Sequence, residues 1–315
     1  MKRLMHQKGW MLLGIFALAL WFGLLVSCQK KQTEATVDPT YLAEIEQWHK
    51  ERVERLTSET GWLTLVGLHW LREGMNPFGS DSSNAVIFPP KAPPFMGTFF
   101  LDAGGHVRVK INPEVEVLYQ GKPVREMDLV SDAEGEPTVL WWHTLNWFII
   151  KRGDRYAVRV RDTQAETRLN FLGLERFPVD PRWRVVARFE PFDPPRTIEV
   201  PNILGMVDKE PCPGALAFEI DGKTYRLYPT GTMEDKEWFI VFGDATNGKT
   251  TYGGGRFIYV PRPGPDGTTV IDFNKAYNPP CVFTHYATCP LPPPQNRLPF
   301  EVTAGEKKYA GEVPH

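Results

Sequence analysis

The sequence is poor in the patterns that announce a known chemistry. It holds no H-E-x-x-H metal helix, no G-x-S-x-G nucleophile elbow, no Walker loop and no dinucleotide fingerprint. Gly253-Gly254-Gly255 lacks the strand-to-helix setting that a phosphate cradle needs. A basic surplus is missing too. The chain has 36 Lys and Arg against 38 Asp and Glu, and the basic residues are scattered rather than striped, which argues against a nucleic-acid partner. Cysteine is scarce, with four residues, and helical periodicity is rare. There is no internal repeat, and no low-complexity stretch beyond the proline-rich 290–294. In their place stand 29 Pro, 27 Gly and 10 Trp, the mixture of a loop- and strand-rich chain.

Acidic residues are absent before Glu34, and that gap frames the N-terminus. Lys2, Arg3 and Lys8 form a positive leader, followed by an apolar run from Trp10 to Val26 that is short for a permanent membrane span. The run ends in Leu25-Val26-Ser27-Cys28, which resembles a lipobox. Small Ser27 gives a peptidase room at the bond, and the Cys28 thiol accepts the lipid. Residues 1–27 are therefore expected to be an export signal, with Cys28 the lipidated first residue of the mature chain. Two or three acyl chains hold a bilayer far better than one, since each buried methylene adds about 0.8 kcal/mol. Gln29, where the resemblance would want Asp for inner-membrane retention, implies an outer-membrane address facing the periplasm. Removal of three basic side chains with the signal moves the formal charge from -2 to -5. Residues 28–39 read as a solvated tether.

One helix is convincing. Asp38 and Pro39 supply an N-cap and a first-turn proline; Leu42, Ile45, Trp48 or His49, Arg52 or Val53, and Leu56 recur at helical spacing, and Ser58 to Gly61 ends it. The inward face is expected to be Ile45, Trp48 and Leu56. Strand signals follow at 62–70, 84–88, 97–102, 106–111, 114–119, 138–151 and 156–161, with Asp102 to Gly105, Gln120-Gly121 and Lys151 to Asp154 as turns. Arg152-Gly153-Asp154 is better explained by a hairpin than by adhesion. The pattern lapses over 163–181 and resumes at 182–190, 196–203, 214–220, 223–228, 236–242, 255–260 and 268–273. The expected fold is all-β: a helix plus β-sandwich over 40–162, a linker over 163–181, and a second β-sandwich or barrel over 182–310. Gly79 to Asn84, Pro94 to Gly97 and Asn112 to Val124 resemble the spacing of a forkhead-associated sandwich. Ser80 stands where that family carries its phosphothreonine-binding Arg, so the resemblance implies the scaffold without the ligand site.

The unusual residues gather near the C-terminus. Asp272-Phe-Asn-Lys-Ala-Tyr-Asn-Pro-Pro-Cys-Val-Phe283 and Cys289-Pro-Leu-Pro-Pro-Pro-Gln-Asn-Arg-Leu298 follow Thr251-Tyr-Gly-Gly-Gly-Arg-Phe257. These blocks resemble the DUF1684 family, a bacterial and archaeal group of unknown function, with the resemblance running over most of 41–310. It names a family and implies no reaction. Physically, Asp and Asn here serve either to satisfy a proline-stiffened loop or to line a pocket for a small polar or anionic ligand. In the second case Arg256 holds the anion, and Asp272, Asn274, Tyr277, Asn278, His285, Asn296 and Arg297 complete the candidate site. The leading expectation is a ligand-binding or interaction protein of the envelope, and the alternative is a hydrolase using the same cluster.

With Cys28 committed to lipid, Cys212, Cys281 and Cys289 remain, so at most one pair can close. Cys281 and Cys289 are candidates for a loop disulfide, with Cys212 left free. Two other readings stay open: a metal held by Cys281, His285 and Cys289, which lacks a visible fourth ligand, and a Cys281 nucleophile with His285 as base. No metal, cofactor or defined protein partner is called for by any motif; the membrane, through the lipid anchor, is the one partner that is.

Overall fold

The structure is a computed structural model and describes residues 37–311. The signal, Cys28 and most of the tether lie outside the described residues. Among the described residues no helix is long and apolar enough to cross a membrane. The architecture is all-β with one leading helix, Pro39–Thr57. Asp38 caps that helix by accepting from Thr40 N at 2.7 Å, and Pro39 occupies the first turn, where a missing N–H costs nothing. Its buried face is Ile45, Arg52 and Leu56, while Trp48 is only half-buried. The arginine in that face is the departure from the expected pattern, and its partners appear below.

Two antiparallel-rich sheets build the first half. One runs in the order Leu65–Trp70, Arg155–Asp162, Leu145–Arg152, Leu140–Trp142, Val117–Tyr119, Lys122–Val124. The other runs Val86–Ile87, Gly74–Gly79, Gly97–Leu101, Val107–Ile111, Glu126–Leu129. Both feed one core, so this half is a sandwich. The alternation is plain in Val107–Ile111, where Val107, Val109 and Ile111 go inward and Arg108 and Lys110 outward. Phe78, Phe88, Phe99 and Trp147 fill the centre, with ring centres 4.4 Å apart for Phe78–Phe99 and 5.0 Å for Phe88–Trp147.

The second half pairs a four-stranded sheet, in the order Lys223–Leu227, Val207–Ile220, Arg184–Pro201, Thr268–Asp272, with a hairpin of Glu237–Phe242 and Arg256–Pro261. Trp183, Phe218, Trp238, Phe242 and Phe273 form its core. The expected strands 182–190 and 196–203 are one strand. Its pairing with Val207–Ile220 slips between Pro191 and Arg196, because prolines 191, 194 and 195 have no N–H to give the ladder. The expected strand 138–151 is two, broken at His143, whose φ is 50°. Gly74–Gly79 pairs as a strand although its Gly, Asn and Pro content reads as loop.

Residues 163–181 run between the halves and are packed down. Arg168 donates to Thr57 O at 2.7 Å and to Thr163 O at 2.6 Å, and Phe171 and Leu174 pack on a small cluster of Leu56, Leu63, Val282 and Phe283. The leading helix likewise makes polar contacts to the second half, through Tyr41, Glu44 and Arg52.

Candidate functional site

The leading helix lies across the open hairpin of the second half, and the space between them is a cleft of about 1180 Å³. Three contacts fix the helix there. Tyr41 Oη donates to Asp272 Oδ1 at 2.9 Å and accepts from Asn274 Nδ2 at 2.9 Å. Lys275 Nζ reaches Glu44 at 2.6 Å. Arg52 is buried and pairs with Glu306 at 3.2 Å, while its Nη2 donates to Asn278 O at 2.9 Å. A buried arginine is tolerated when its fork is filled in this way.

The cleft is floored by aromatic rings. Tyr259 and Tyr277 lie parallel, with centres 6.4 Å apart and planes within 12°. Trp48 flanks Tyr277 at 6.3 Å, and the Arg52 guanidinium sits 4.8 Å over the same ring. Tyr259 is 52 % exposed, so its face is available to a ligand. Trp62 is a further lining residue. It is placed by Gly61: a Cβ there would come within 2.3 Å of Leu56 O, so only glycine lets the chain turn tightly off the helix end. The rim is polar, with Glu44, Glu51, Asp272, Arg55, Arg184 and Lys275 among the lining residues. Burial lifts the Asp272 carboxyl above the usual range, opposed by the Tyr41 and Asn274 hydrogen bonds. Burial, reinforced by nearby negative charge at Asp272, also keeps Tyr41 protonated well above the ordinary tyrosine range. Tyr277 is raised as well, by burial first and then by Tyr259. The tyrosines therefore act as neutral donors.

The eight candidate ligand residues do not converge. Asp272 and Tyr277 line the cleft, and Asn274 stands directly behind Asp272, its amide also tying Asp180 O at 2.9 Å. Arg256, expected to hold an anion, is fully buried and committed elsewhere. It pairs with Asp244 at 2.9 Å and donates to Val302 O at 2.8 Å and to Ala304 O. Its strand alternation turns it into the core, beneath the C-terminal segment that covers the sheet. Asn278 is fully buried, with Nδ2 on Lys307 O at 2.7 Å and its backbone N on Glu306 at 2.8 Å. Asn296 is buried too, bridging Tyr228 and Val241 O. These three are fasteners of the fold. His285 and Arg297 are exposed and away from the cleft lining, with Arg297 on Pro292 O at 3.3 Å. The convergence that a hydrolytic pocket needs is absent from this cluster.

Cys281 and Cys289 are bonded to each other, with Cα atoms 6.2 Å apart, so neither sulfur is a thiolate for metal or nucleophilic work. Cys212 is a buried free thiol whose pKa is pushed up by burial. Among the described residues no group of three or more His, Cys, Asp or Glu is arranged to hold a metal.

Sequence reading missed Arg52, Asp244 and Glu306. Arg52 falls with Val53 on the helical period but nothing local marks its buried partner, and Glu306 follows Gly305 in a stretch without periodicity. Asp244 has a weak one, the Asx-type turn that gives Thr246 N a 2.8 Å bond.

Fold and cleft together define an all-β protein with a helix-walled, aromatic-floored groove. The family described as "Protein of unknown function (DUF1684)" matches residues 169–307, which is the second half and the strap leading into it. The chain belongs to this family. Among solved structures it is similar to the solution NMR structure of the uncharacterized protein from gene locus rrnAC0354 of Haloarcula marismortui. That protein is 32% identical, with 46% of this chain and 81% of that chain covered and a TM-score of 0.39. No curated protein matches.

Proposed function

We propose that this is a lipid-anchored envelope protein that binds a polar ligand with a flat apolar face, of which a glycan is the chemical class that fits. The carrying observation is the groove itself. Tyr259, Trp48 and Trp62 offer ring surface in an open cleft, backed by Tyr277, and the rim carries carboxylates together with guanidinium and ammonium groups. A sugar ring has a C–H face for the aromatic surface and hydroxyls for the rim, whereas a purely apolar ligand would leave the rim unpaired. Support for the anchor is the Lys2, Arg3 and Lys8 leader, the apolar run and Leu25-Val26-Ser27-Cys28.

The binding half is tested by titrating full-length protein with N-acetylglucosamine oligomers and maltooligosaccharides, read by tryptophan fluorescence and calorimetry. Saturable binding is expected, weakened about tenfold by Tyr259→Ala or Trp48→Ala, since one aromatic contact contributes roughly 1 kcal/mol beyond its area. No saturable response to either series, or binding indifferent to both variants, sinks the reading. The anchor half is tested by metabolic labelling with an alkyne fatty acid. Label on the wild type and none on Cys28→Ala is the expected result; equal label on both rejects it.

A further inference from the structure

A second cavity, about 510 Å³, opens beyond Trp62, which lines both spaces. Its walls come from the Lys151–Gly153 turn of the first half and from residues of the second half including Thr288 and Cys289. Beside it lies an arrangement that the rest of the fold does not explain. Strands Leu145–Arg152 and Arg155–Asp162 pair Asn146 with Arg161 and Phe148 with Arg159 on one face. Val158 and Val160 point the other way, into the sandwich core. Sequence alternation alone would send this arginine face to water, yet Arg159 is 3% exposed and Asn146 0%.

Neither is satisfied. Arg159 Nε and Nη2, Arg161 Nε, and both polar atoms of Asn146 are buried without a hydrogen-bond partner. The carboxylate that acts on Arg159, Asp132, is already paired with Arg152 at 2.9 Å. What the guanidinium groups do have is rings: Arg159 lies 5.2 Å from the Trp62 centre and Arg161 4.4 Å from that of Phe148. Cation–π contact explains part of the arrangement, but it leaves the in-plane N–H groups empty, and it is those groups that need acceptors. Burial pulls Arg159 down to about 9 and Arg161 to about 10, and for Arg159 the charge of Arg152 adds to the effect. Charged groups held this way are paired in native proteins or they are waiting for a partner.

We propose that Arg159 and Arg161, with Asn146, form a binding site for an oxyanion, a phosphate or carboxylate group carried by a larger ligand that enters through this second cavity. Arg159, Arg161 and Asn146 lie behind the cavity lining; Trp62, whose ring Arg159 lies against, and Arg152, whose charge acts on Arg159, are the lining residues nearest to them in contact. A guanidinium fork matches two oxygens of such a group, and the Asn146 amide supplies a further donor. Asp208 and Glu210 on the far wall repel a bare polyanion. The ligand therefore carries one anionic group on an otherwise neutral or zwitterionic body.

The test is thermal unfolding of the full-length protein against methyl phosphate and against acetate, at ionic strength held constant with sodium chloride. A saturable rise in Tm is expected with at least one of them, about 5–10 °C at a hundredfold excess over Kd. A rise with methyl phosphate alone identifies a phosphorylated ligand, and with acetate alone a carboxylate; either supports the site. R159M abolishes the rise. Without anion R159M melts no lower than the wild type, because an apolar side chain replaces a buried unpaired charge. R161Q, at the less buried position, independently weakens anion binding at least tenfold. A flat wild-type response to both anions overturns the proposal, as does a rise that survives in the variants, and so does an R159M that melts below the anion-free wild type.

Discussion

Arg256→Met is the most direct probe of how the family motif holds the second half together. Both partners of the Arg256–Asp244 pair are fully buried, at 2.9 Å. Burial pulls the arginine's pKa down, and Asp244 pushes it back up. Removing the arginine leaves the aspartate charge in the interior and strips donors from Val302 O and Ala304 O. Breaking a buried pair from one side costs about 3–5 kcal/mol. Asp244 keeps the Thr246 N, Thr246 Oγ1 and Val302 N bonds, which holds the loss near the lower end, about 3 kcal/mol. At roughly 2–4 °C per kcal/mol for a chain of this size, Tm should fall by about 6–12 °C. Urea unfolding by fluorescence measures it, and hydrogen exchange should show protection lost first over 302–306. Salt up to about 0.5 M should change the loss little, since a pair this buried is poorly screened. D244N/R256M should recover part of the loss, because no charge is then left unpaired. A loss under about 1 kcal/mol, or a double variant as damaged as the sum of the singles, would refute the argument that this arginine fastens the fold.

The remaining predictions are smaller. Replacing Cys281 and Cys289 by serine opens a loop with a sequence separation of 8 and should cost about 2.5 kcal/mol, measured by denaturant titration; a matching loss in the wild type under reductant confirms the cause. Thiol labelling of the denatured, unreduced protein should mark Cys212 and neither of the other two. Glu210 has its carboxyl raised from the ordinary 4.5 by burial and then by Asp208. The folded state therefore holds its proton longer than the unfolded chain, and the penalty of ionising it grows as pH rises above about 4.5. Glu210→Gln should melt higher than the wild type at pH 8 and equal to it at pH 4. An equal difference at both pH values would show that ionisation of this group is not the cause.

The all-β class and the position of the helix are legible in the sequence because both are local. Asp38-Pro39 caps and starts a helix wherever it falls, and the alternation of Val107 to Ile111 encodes a strand with one wet face. The misreadings have equally local causes. The prolines at 191, 194 and 195 look like the end of a strand, but the partner strand tolerates them by slipping register, which a single segment cannot reveal. The cleft is partly legible: Asp272, Asn274 and Tyr277 belong to the motif cluster and contact the helix through Tyr41 and Trp48. Trp48, Trp62 and Tyr259 were readable only as core or surface aromatics, since their neighbours come from segments some 200 residues away.

The sequence by itself determined the strand and helix periods, the family motif, the candidate Cys281–Cys289 pair and the lipobox-like N-terminus. Only the tertiary structure decided which charges matter. Arg256 shares its strand face with Ile258 and Val260 and Arg159 shares its face with Arg161, so alternation points the first inward and the second to water, yet both are buried. One meets Asp244 and three backbone carbonyls; the other lies against the Trp62 ring, and the carboxylate that acts on it, Asp132, is already paired with Arg152. Desolvation depends on what packs above a side chain, and that is set by contacts distant in sequence.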